Sequence, residues 1–334
     1  MPWIAPGITI PAVALLACLV SIPPLLVHFK ARNFAATVLI LGVTILNVQN
    51  FANAIIWASQ DRYSWWNGKI LCDIEVKLYI GIAVAADGAV ASIFRQTAMI
   101  LDTDRMTVAP SPQQRRSRLA VEILLCIMLP VLVMAAHYLV QNDRYWLTTS
   151  AGCTPAFDTC WPTLLLIFLW PVLVCLMGSI YCALSVIRLW RHRKEMSSVL
   201  SSTPGVTSSR FLRLFALGFT LLLGYCPLAI LAFAENVSIP RHRYSWAFIH
   251  PPDWAERIIL VPSTERLTFD RWAQIATGFL FFLFFGLGKE ATQIYHSWLK
   301  MTQRWLPTRC MFRGKHHPHQ LGAGVLPRAE FALT

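Results

Sequence analysis

The sequence predicts an all-α membrane protein folded as a seven-transmembrane helix bundle. Of its 334 residues, 56% are hydrophobic and 14% are charged, whereas soluble domains average roughly 25% charged residues. The charged residues lie between long apolar segments, and about 20 apolar residues are enough for a helix to cross a bilayer. Composition and charge pattern together therefore favour a multi-pass membrane protein over a soluble domain.

Seven apolar segments reach this length, at about 7–29, 34–57, 74–101, 118–140, 161–187, 211–235 and 271–294. The first has no Lys or Arg ahead of it and is too long for a signal peptide, so we expect it to be retained as a helix. The third carries the most polar groups and is expected to face other helices. Proline interrupts several of the segments, and Pro227 in the sixth is the best candidate for a hinge.

The basic residues predict that the N-terminus is outside and the C-terminus is cytosolic. Most of the 29 Lys and Arg residues lie in or beside 30–33, 102–117, 188–210 and the tail, and basic connections stay on the cytosolic side. We assign residues 1–296 to the membrane domain and 297–334 to a short cytosolic tail. Ile294, Trp298, Met301 and Trp305 predict a short amphipathic helix on the inner leaflet, followed by disordered residues.

No pattern in the sequence indicates an enzyme, a metal site or a nucleic-acid-binding protein. The chain lacks the HExxH, GxSxG and P-loop motifs. None of its nine cysteines forms a CxxC pair, and no His/Cys cluster has zinc spacing. We therefore expect no enzymatic activity, no cofactor and no nucleic-acid partner.

Charged residues within the spans are the first candidates for function, because each costs roughly 2.5–3.5 kcal/mol on insertion scales. Asp73 and Lys77 are spaced to pair near the outer surface, as a structural contact or as part of a ligand vestibule. Asp87 lies near mid-membrane and is expected to belong to a polar switch or to bind a cation. Arg95 is expected to lock to a neighbouring helix, to touch a cytosolic partner or to extend its charge to the interface.

Three cysteines fall on the oxidising outer side, where a disulfide is expected. Cys72–Cys153 pins the second outer loop across the mouth of the bundle, and Cys72–Cys160 is the competing pairing. Asn236 begins an Asn-Val-Ser glycosylation sequon at the membrane edge, where its use is open.

Several strings resemble the fungal mating pheromone receptors of the a-factor (lipopeptide) type, which are class D G-protein-coupled receptors. They are IPPLLVHFKARN, NVQNFANAIIW, WWNGKILCDIEVKL, GCTPAFDTCWP and FFLFFGLGKEA, and the likeness runs from about residue 20 to about 295. The resemblance implies a multi-pass plasma-membrane receptor for a farnesylated, methyl-esterified peptide pheromone. It also implies coupling to a heterotrimeric G protein and a mating response, with a homodimer as an open possibility.

The candidate site residues fall at the two ends of the bundle. Candidate ligand-binding residues are Trp65, Asn67, Asp73, Lys77, Trp161, Glu235, Trp246, Asp270 and Trp272. Candidate switch and G-protein-coupling residues are Arg95, Asp87, Arg105, Arg188, Arg191, Arg193, Lys194, Pro227 and Lys289. The alternative function is a seven-helix transporter or channel that uses Asp87 in a polar pathway. It predicts repeated halves with broken helices, and no internal repeat is visible in the sequence.

Overall fold

The computed structural model describes residues 6–59, 61, 64–102, 111–191, 208–261 and 265–305. By its internal contacts the chain separates into a unit of Met1–Tyr295 and a unit of His296–Thr334. The helix bundle and its outer loops belong to the first unit. Three of the candidate coupling residues, Arg105, Arg193 and Lys194, lie outside the described residues.

Seven long helices form the bundle, and they confirm the predicted fold class. They are α1 (Pro6–Lys30), α2 (Phe34–Ile56), α3 (Leu71–Ile100), α4 (Pro112–Val140), α5 (Trp161–Arg191), α6 (Ser208–Ser238) and α7 (Glu265–Phe281, continued by a π turn at Phe282–Gly286). Six are long and apolar enough to cross a membrane by themselves, and the seventh span is reached when Phe269–Gly286 is taken with the helix that follows it.

Two helix boundaries differ from the sequence prediction for identifiable reasons. α4 begins six residues early because Ser111 caps it: the Ser111 hydroxyl accepts from the Gln114 amide at 3.2 Å, and the Gln114 side chain accepts from the Ser111 amide at 3.0 Å. The predicted seventh span, 271–294, runs past the end of α7. α7 ends at Gly286, the Gly288 amide turns back to the Phe285 carbonyl at 3.2 Å, and a new helix, α8 (Lys289–Trp305), begins.

The third helix is the centre of the bundle, as its polar content predicts. It packs against α2, α4, α5 and α6, whereas α1 packs against α2 and α7. Gly88 allows α4 to come close, since a Cβ atom at that position would lie 2.8 Å from the Leu125 carbonyl carbon. The inner half of the core joins Ile40, Phe94 and Phe281 from three helices.

A three-stranded sheet lies over the outer end of the bundle, and the sequence did not predict it. β1 (Tyr145–Thr148) and β2 (Gly152–Thr154) form an antiparallel hairpin in the α4–α5 loop. β3 (Ile258–Val261), from the α6–α7 loop, adds to β1 in parallel. We call residues 141–160 and 239–261 the outer cap, because these two loops form one layer.

Candidate ligand-binding and coupling sites

The outer cap is tied covalently to the centre of the bundle. Cys72, in the first turn of α3, forms a disulfide with Cys153 in β2. Cys160 is a buried free cysteine whose sulfur lies 3.3 Å from the Thr163 hydroxyl oxygen. Of the two pairings left open by the sequence, the structure therefore forms Cys72–Cys153.

Asp73 and Lys77 take separate partners, so the predicted pair between them is wrong. The Asp73 carboxylate accepts from Nε and Nη2 of Arg144 at 2.9 and 2.6 Å. The Lys77 ammonium lies 2.8 Å from His137 Nδ1 and 2.8 Å from the Gln141 side-chain oxygen. These partners, His137, Gln141 and Arg144, come from the end of α4 and the loop after it. Asp73 and Lys77 thus join α3 to α4 and to the cap.

Arg271, which sequence reasoning missed, is the polar centre beneath the cap. It is 3% exposed. Its guanidinium donates to the Asn50 side-chain oxygen at 3.0 Å and to the carbonyls of Ala151 and Cys153 at 2.8 and 3.3 Å. The guanidinium carbon also lies 5.4 Å from the centre of the Tyr79 ring. One side chain of α7 therefore contacts α2, α3 and the cap.

The buried amides of α2 complete this centre. The Asn50 amide donates to the Gln274 side chain at 2.9 Å, and the Asn47 amide donates to the Gln274 carbonyl at 3.1 Å. The Tyr79 hydroxyl donates to Asp270 at 3.4 Å. Asp270 is thus the one predicted ligand residue that borders the centre. Two features of the sequence could have indicated this polar centre: the Asn-rich string in the second span and the charge of Arg271 within the seventh span.

The α6–α7 loop is fastened across the cap at several points. Arg257 pairs with Asp143 at 3.2 Å, and the Trp254 indole donates to the Gln141 carbonyl at 2.9 Å. Lys69, from the α2–α3 loop, pairs with Glu256. The loop therefore runs from the end of α6 over the α4–α5 hairpin before it reaches α7.

Ion pairs of the cap shift the pKa of the groups that form them. The hydrogen bond and charge of Lys69 lower the pKa of the exposed Glu256. The hydrogen bond to Asp73 raises the pKa of Arg144. His242 has its Nδ1 2.9 Å from the Arg243 carbonyl and its Nε2 3.1 Å from Asp158; these acceptors, the carbonyl first, raise the pKa of His242.

The remaining predicted ligand residues do not converge on one described pocket. Trp161, Trp246 and Trp272 are 55%, 47% and 40% exposed, respectively, at outer helix ends or in the cap. The Trp65 indole donates to the Ser59 carbonyl at 3.0 Å, and the Asn67 carbonyl accepts from the Tyr145 hydroxyl at 2.8 Å. Trp65 and Asn67 therefore shape the loop before α3, and Glu235 is exposed near the end of α6.

Asp87 lines a small pocket between α3, α5 and α6. Its carboxyl contacts the Cys175 thiol, and Tyr225, which also lines the pocket, has its hydroxyl 2.7 Å from that of Thr277 in α7. The cavity has a volume of about 10 Å³, which is about enough for one water molecule. In the described residues, no group of three or more His, Cys, Asp or Glu side chains is arranged to hold a metal ion.

At the inner end, the candidate coupling residues lie on different helices. Arg95 lies near Glu122, which accepts from the Gln96 side chain at 2.5 Å. Arg188 of α5 pairs with Asp102 at 3.0 Å, and Arg191 is exposed. The side chain of Lys289 lies outside the described part of the chain. The described inner end thus links α3 to both α4 and α5.

The chain matches the family model described as pheromone A receptor (STE3) over residues 9–306. It is 28% identical over 288 residues to the pheromone a factor receptor of Saccharomyces cerevisiae, a match covering 86% of this chain and 60% of that protein. It is 27% identical over 312 residues to the pheromone M-factor receptor of Schizosaccharomyces pombe, covering 92% of this chain and 83% of that protein.

Other relatives are considerably longer than this chain. The match to the pheromone B alpha 3 receptor of Schizophyllum commune, 26% identical over 296 residues, covers 85% of this chain but 46% of the relative. The chain therefore spans about half the length of several curated relatives, from 44% to 60%. All of these relatives are receptors and not enzymes, and this chain belongs to the pheromone A receptor family, as a multi-pass protein of the plasma membrane.

Proposed function

We propose that this chain is a G-protein-coupled receptor that binds a farnesylated peptide pheromone and activates a heterotrimeric G protein. The observation that carries the proposal is the family match over residues 9–306, which covers all seven helices except the first three residues of α1. Receptor signalling requires a ligand to bind one of two bundle arrangements more tightly than the other. The separate outer and inner polar clusters fit a protein that binds its ligand at the outer end and contacts the G protein at the inner end.

A lipidated ligand suits the closed outer end of the bundle. β2 contacts α2 and α3, and Arg271 of α7 donates to the carbonyls of Ala151, just before β2, and of Cys153, within β2. A prenyl chain gains about 0.8 kcal/mol for each CH₂ group buried in the membrane. The prenyl group of the ligand therefore partitions into the bilayer first. The peptide portion of the ligand then contacts the exposed aromatic residues Trp161, Trp246 and Trp272 at the outer end of the bundle.

The polar contacts divide the candidate ligand residues into two groups. Trp65, Asn67, Asp73 and Lys77 are engaged with protein partners, so we propose that they hold the cap in place. Trp161, Glu235, Trp246, Asp270 and Trp272 remain the proposed ligand contacts because they lie at outer helix ends or in the cap, although Asp270 also accepts from the Tyr79 hydroxyl and Trp246 stacks on His250. On the inner side, Arg95, Arg188 and Arg191 are the described residues proposed to meet the G protein or to control its access.

The test is expression in a fungal mating-response reporter strain that lacks its own receptor of this type. Reporter output is measured against farnesylated, methyl-esterified peptides and their unprenylated forms. We expect a saturable response to a prenylated peptide, lost in Arg95→Ala but kept in Arg116→Ala, an exposed arginine at the inner end of α4. Silence across a broad panel, from a protein shown to be at the surface with a matched G protein, would argue against the receptor function.

The transporter alternative receives little support from the described residues. The pocket at Asp87 has room for about one water molecule, and most of the side chains that line it are apolar. A solute flux that depends on Asp87 and is insensitive to pheromone would favour this alternative. We expect Asp87→Asn instead to change the pheromone response without creating or abolishing a flux.

A further inference from the structure

The inner end of α7 has an unusual termination that involves another helix. The last carbonyl groups of a helix lack partners within it, and here the end is a π turn at Phe282–Gly286. The Phe285 carbonyl accepts from the Gly288 amide at 3.2 Å, and the Gly286 carbonyl accepts from the Tyr295 hydroxyl at 3.0 Å. The Phe284 carbonyl accepts from Nη1 of Arg213 in α6 at 3.4 Å.

The same guanidinium reaches the start of α8. Nη2 of Arg213 lies 3.5 Å from the Glu290 carboxylate. A cation is favoured near the C-terminus of a helix, and a carboxylate is favoured in the first turn of one. Arg213 and Glu290 therefore occupy the positions that the dipoles of α7 and α8 favour.

Gly288 makes this contact possible. A Cβ atom at Gly288 would lie 3.1 Å from both Cζ and Nη2 of Arg213, so any larger residue displaces the guanidinium. Phe284 supplies the carbonyl for this arginine, Gly288 leaves the space for its guanidinium, and Glu290 supplies the carboxylate. No ligand-binding role is needed to account for these residues.

Arg213 lies far enough from Pro227 along α6 that a bend at Pro227 would move it. Higher on the same helix, Tyr225 contacts Thr277 of α7 at 2.7 Å. Pro227, two residues later, cannot donate a backbone hydrogen bond to the preceding turn. Arg213 lies 14 residues before Pro227, or about 21 Å along a helix that rises 1.5 Å per residue. A small bend at Pro227 therefore becomes a large displacement at Arg213.

We propose that Arg213 is a positioning residue that clasps the inner half of α6 to the end of α7, and that releasing it favours the signalling arrangement. This inference rests on the proposed receptor function. The bonds of Arg213 to Phe284 and Glu290 exist only while α6 lies beside the π turn, and in this proposal that arrangement is the resting one. Breaking the clasp therefore moves the equilibrium toward signalling without pheromone.

The test measures basal reporter output of Arg213→Gln, Glu290→Gln and Arg213→Lys at matched surface amounts. We expect Arg213→Gln to raise basal output at least threefold, Glu290→Gln to raise it less, and Arg213→Lys to restore most of the wild-type level. Arg116→Gln, an exposed inner arginine, is the matched control and leaves basal output unchanged. Unchanged basal output in both Gln variants of a pheromone-responsive receptor overturns the clasp.

A second measurement separates the clasp from the receptor function. Hydrogen–deuterium exchange of residues 282–292 in the purified protein is expected to rise in Arg213→Gln and in Gly288→Ala. If the wild type responds to no pheromone but exchange rises, the receptor function fails and the clasp stands as a structural contact. If exchange is unchanged in both variants, the clasp is overturned whatever the reporter shows; Gly288→Ala gives this result even if Arg213→Gln fails to fold.

Discussion

Arg144 holds the Asp73 carboxylate with two hydrogen bonds, at 2.9 Å from Nε and 2.6 Å from Nη2. Its third nitrogen, Nη1, donates to the Ala255 carbonyl at 2.7 Å, and its backbone amide donates to the Arg257 carbonyl at 3.0 Å. One arginine in the α4–α5 loop thus fastens the α6–α7 loop to the outer end of α3. The integrity of the outer cap therefore depends on this side chain.

Arg144→Gln is expected to loosen the cap and lower the stability of the receptor. Two-pronged, charge-assisted hydrogen bonds are strong, but Asp73 is 38% exposed and solvent screens the pair, so we expect a loss of about 1 kcal/mol. The thermal unfolding midpoint of the purified protein should fall by roughly 2–4 °C. Arg243→Gln, at an exposed arginine of the α6–α7 loop, is the control, and an equal fall in both variants would contradict a specific role for Arg144.

Gly68→Ala is expected to impair folding of the loop before α3. Gly68 has φ +70°, and a Cβ atom there would lie 2.7 Å from the sulfur of Cys72 and 3.0 Å from the Trp57 ring. The left-handed backbone and the contact together should cost at least ~1 kcal/mol.

The surface amount of Gly68→Ala in cells and its unfolding midpoint measure this cost. Gly224→Ala is the matched control, because nothing lies within 4 Å of a Cβ atom at that position. Wild-type levels of Gly68→Ala would show that the loop relaxes without loss.

The His242–Asp158 contact is expected to make the stability of the cap depend on pH. Because the acceptors around His242 raise its pKa above the ordinary value, the contact stabilises fully below the unfolded pKa, near 6.5. That stabilisation is lost as the pH rises through the folded pKa.

Unfolding midpoints of wild type and His242→Gln, measured from pH 5 to pH 8, test this dependence. Their difference should be largest at pH 5 and should shrink toward pH 8, and it should stay small because the His242 side chain is 37% exposed. Burial lowers the pKa of His250, so its contribution to stability changes with pH in the opposite direction. Both proteins contain His250, and its contribution therefore cancels in the difference between their midpoints. A difference that grows with pH would refute the assignment.

Asn236 is expected to carry no glycan despite its sequon. Its amide nitrogen, the atom that a glycan would join, donates to the Ala232 carbonyl at 2.8 Å within α6. Electrophoretic mobility before and after endoglycosidase treatment should be identical. Arg243→Asn creates a sequon with Tyr244 and Ser245 at an exposed part of the cap, and its glycosylation is the positive control.

The bundle was predictable because its signals are local in the sequence. A span is defined by about 20 consecutive apolar residues, and its orientation by the basic residues beside it. The predicted spans lie within a few residues of α1, α2 and α5, and the polar third span is the central helix. The end of α7 was missed because the glycine turn at Gly286–Gly288 interrupts an otherwise continuous apolar pattern.

The polar partners were not predictable, because they come from residues far apart in the chain. Spacing suggested Asp73 with Lys77, but folding brings Arg144 to Asp73 and His137 to Lys77. Both new partners are more than 50 residues away, and only the packing of α4 on α3 decides that they meet.

The sequence by itself predicted seven spans and their orientation, the family and the three outer cysteines from which the disulfide forms. Only the tertiary structure decided between Cys153 and Cys160, built a sheet from two separate loops, and buried Arg271 beneath it. A membrane span depends only on consecutive apolar residues along the chain. A buried charge instead needs hydrogen-bond partners that only the folded structure brings close to it. The ends of the bundle, where such groups collect, are therefore where sequence reasoning stops.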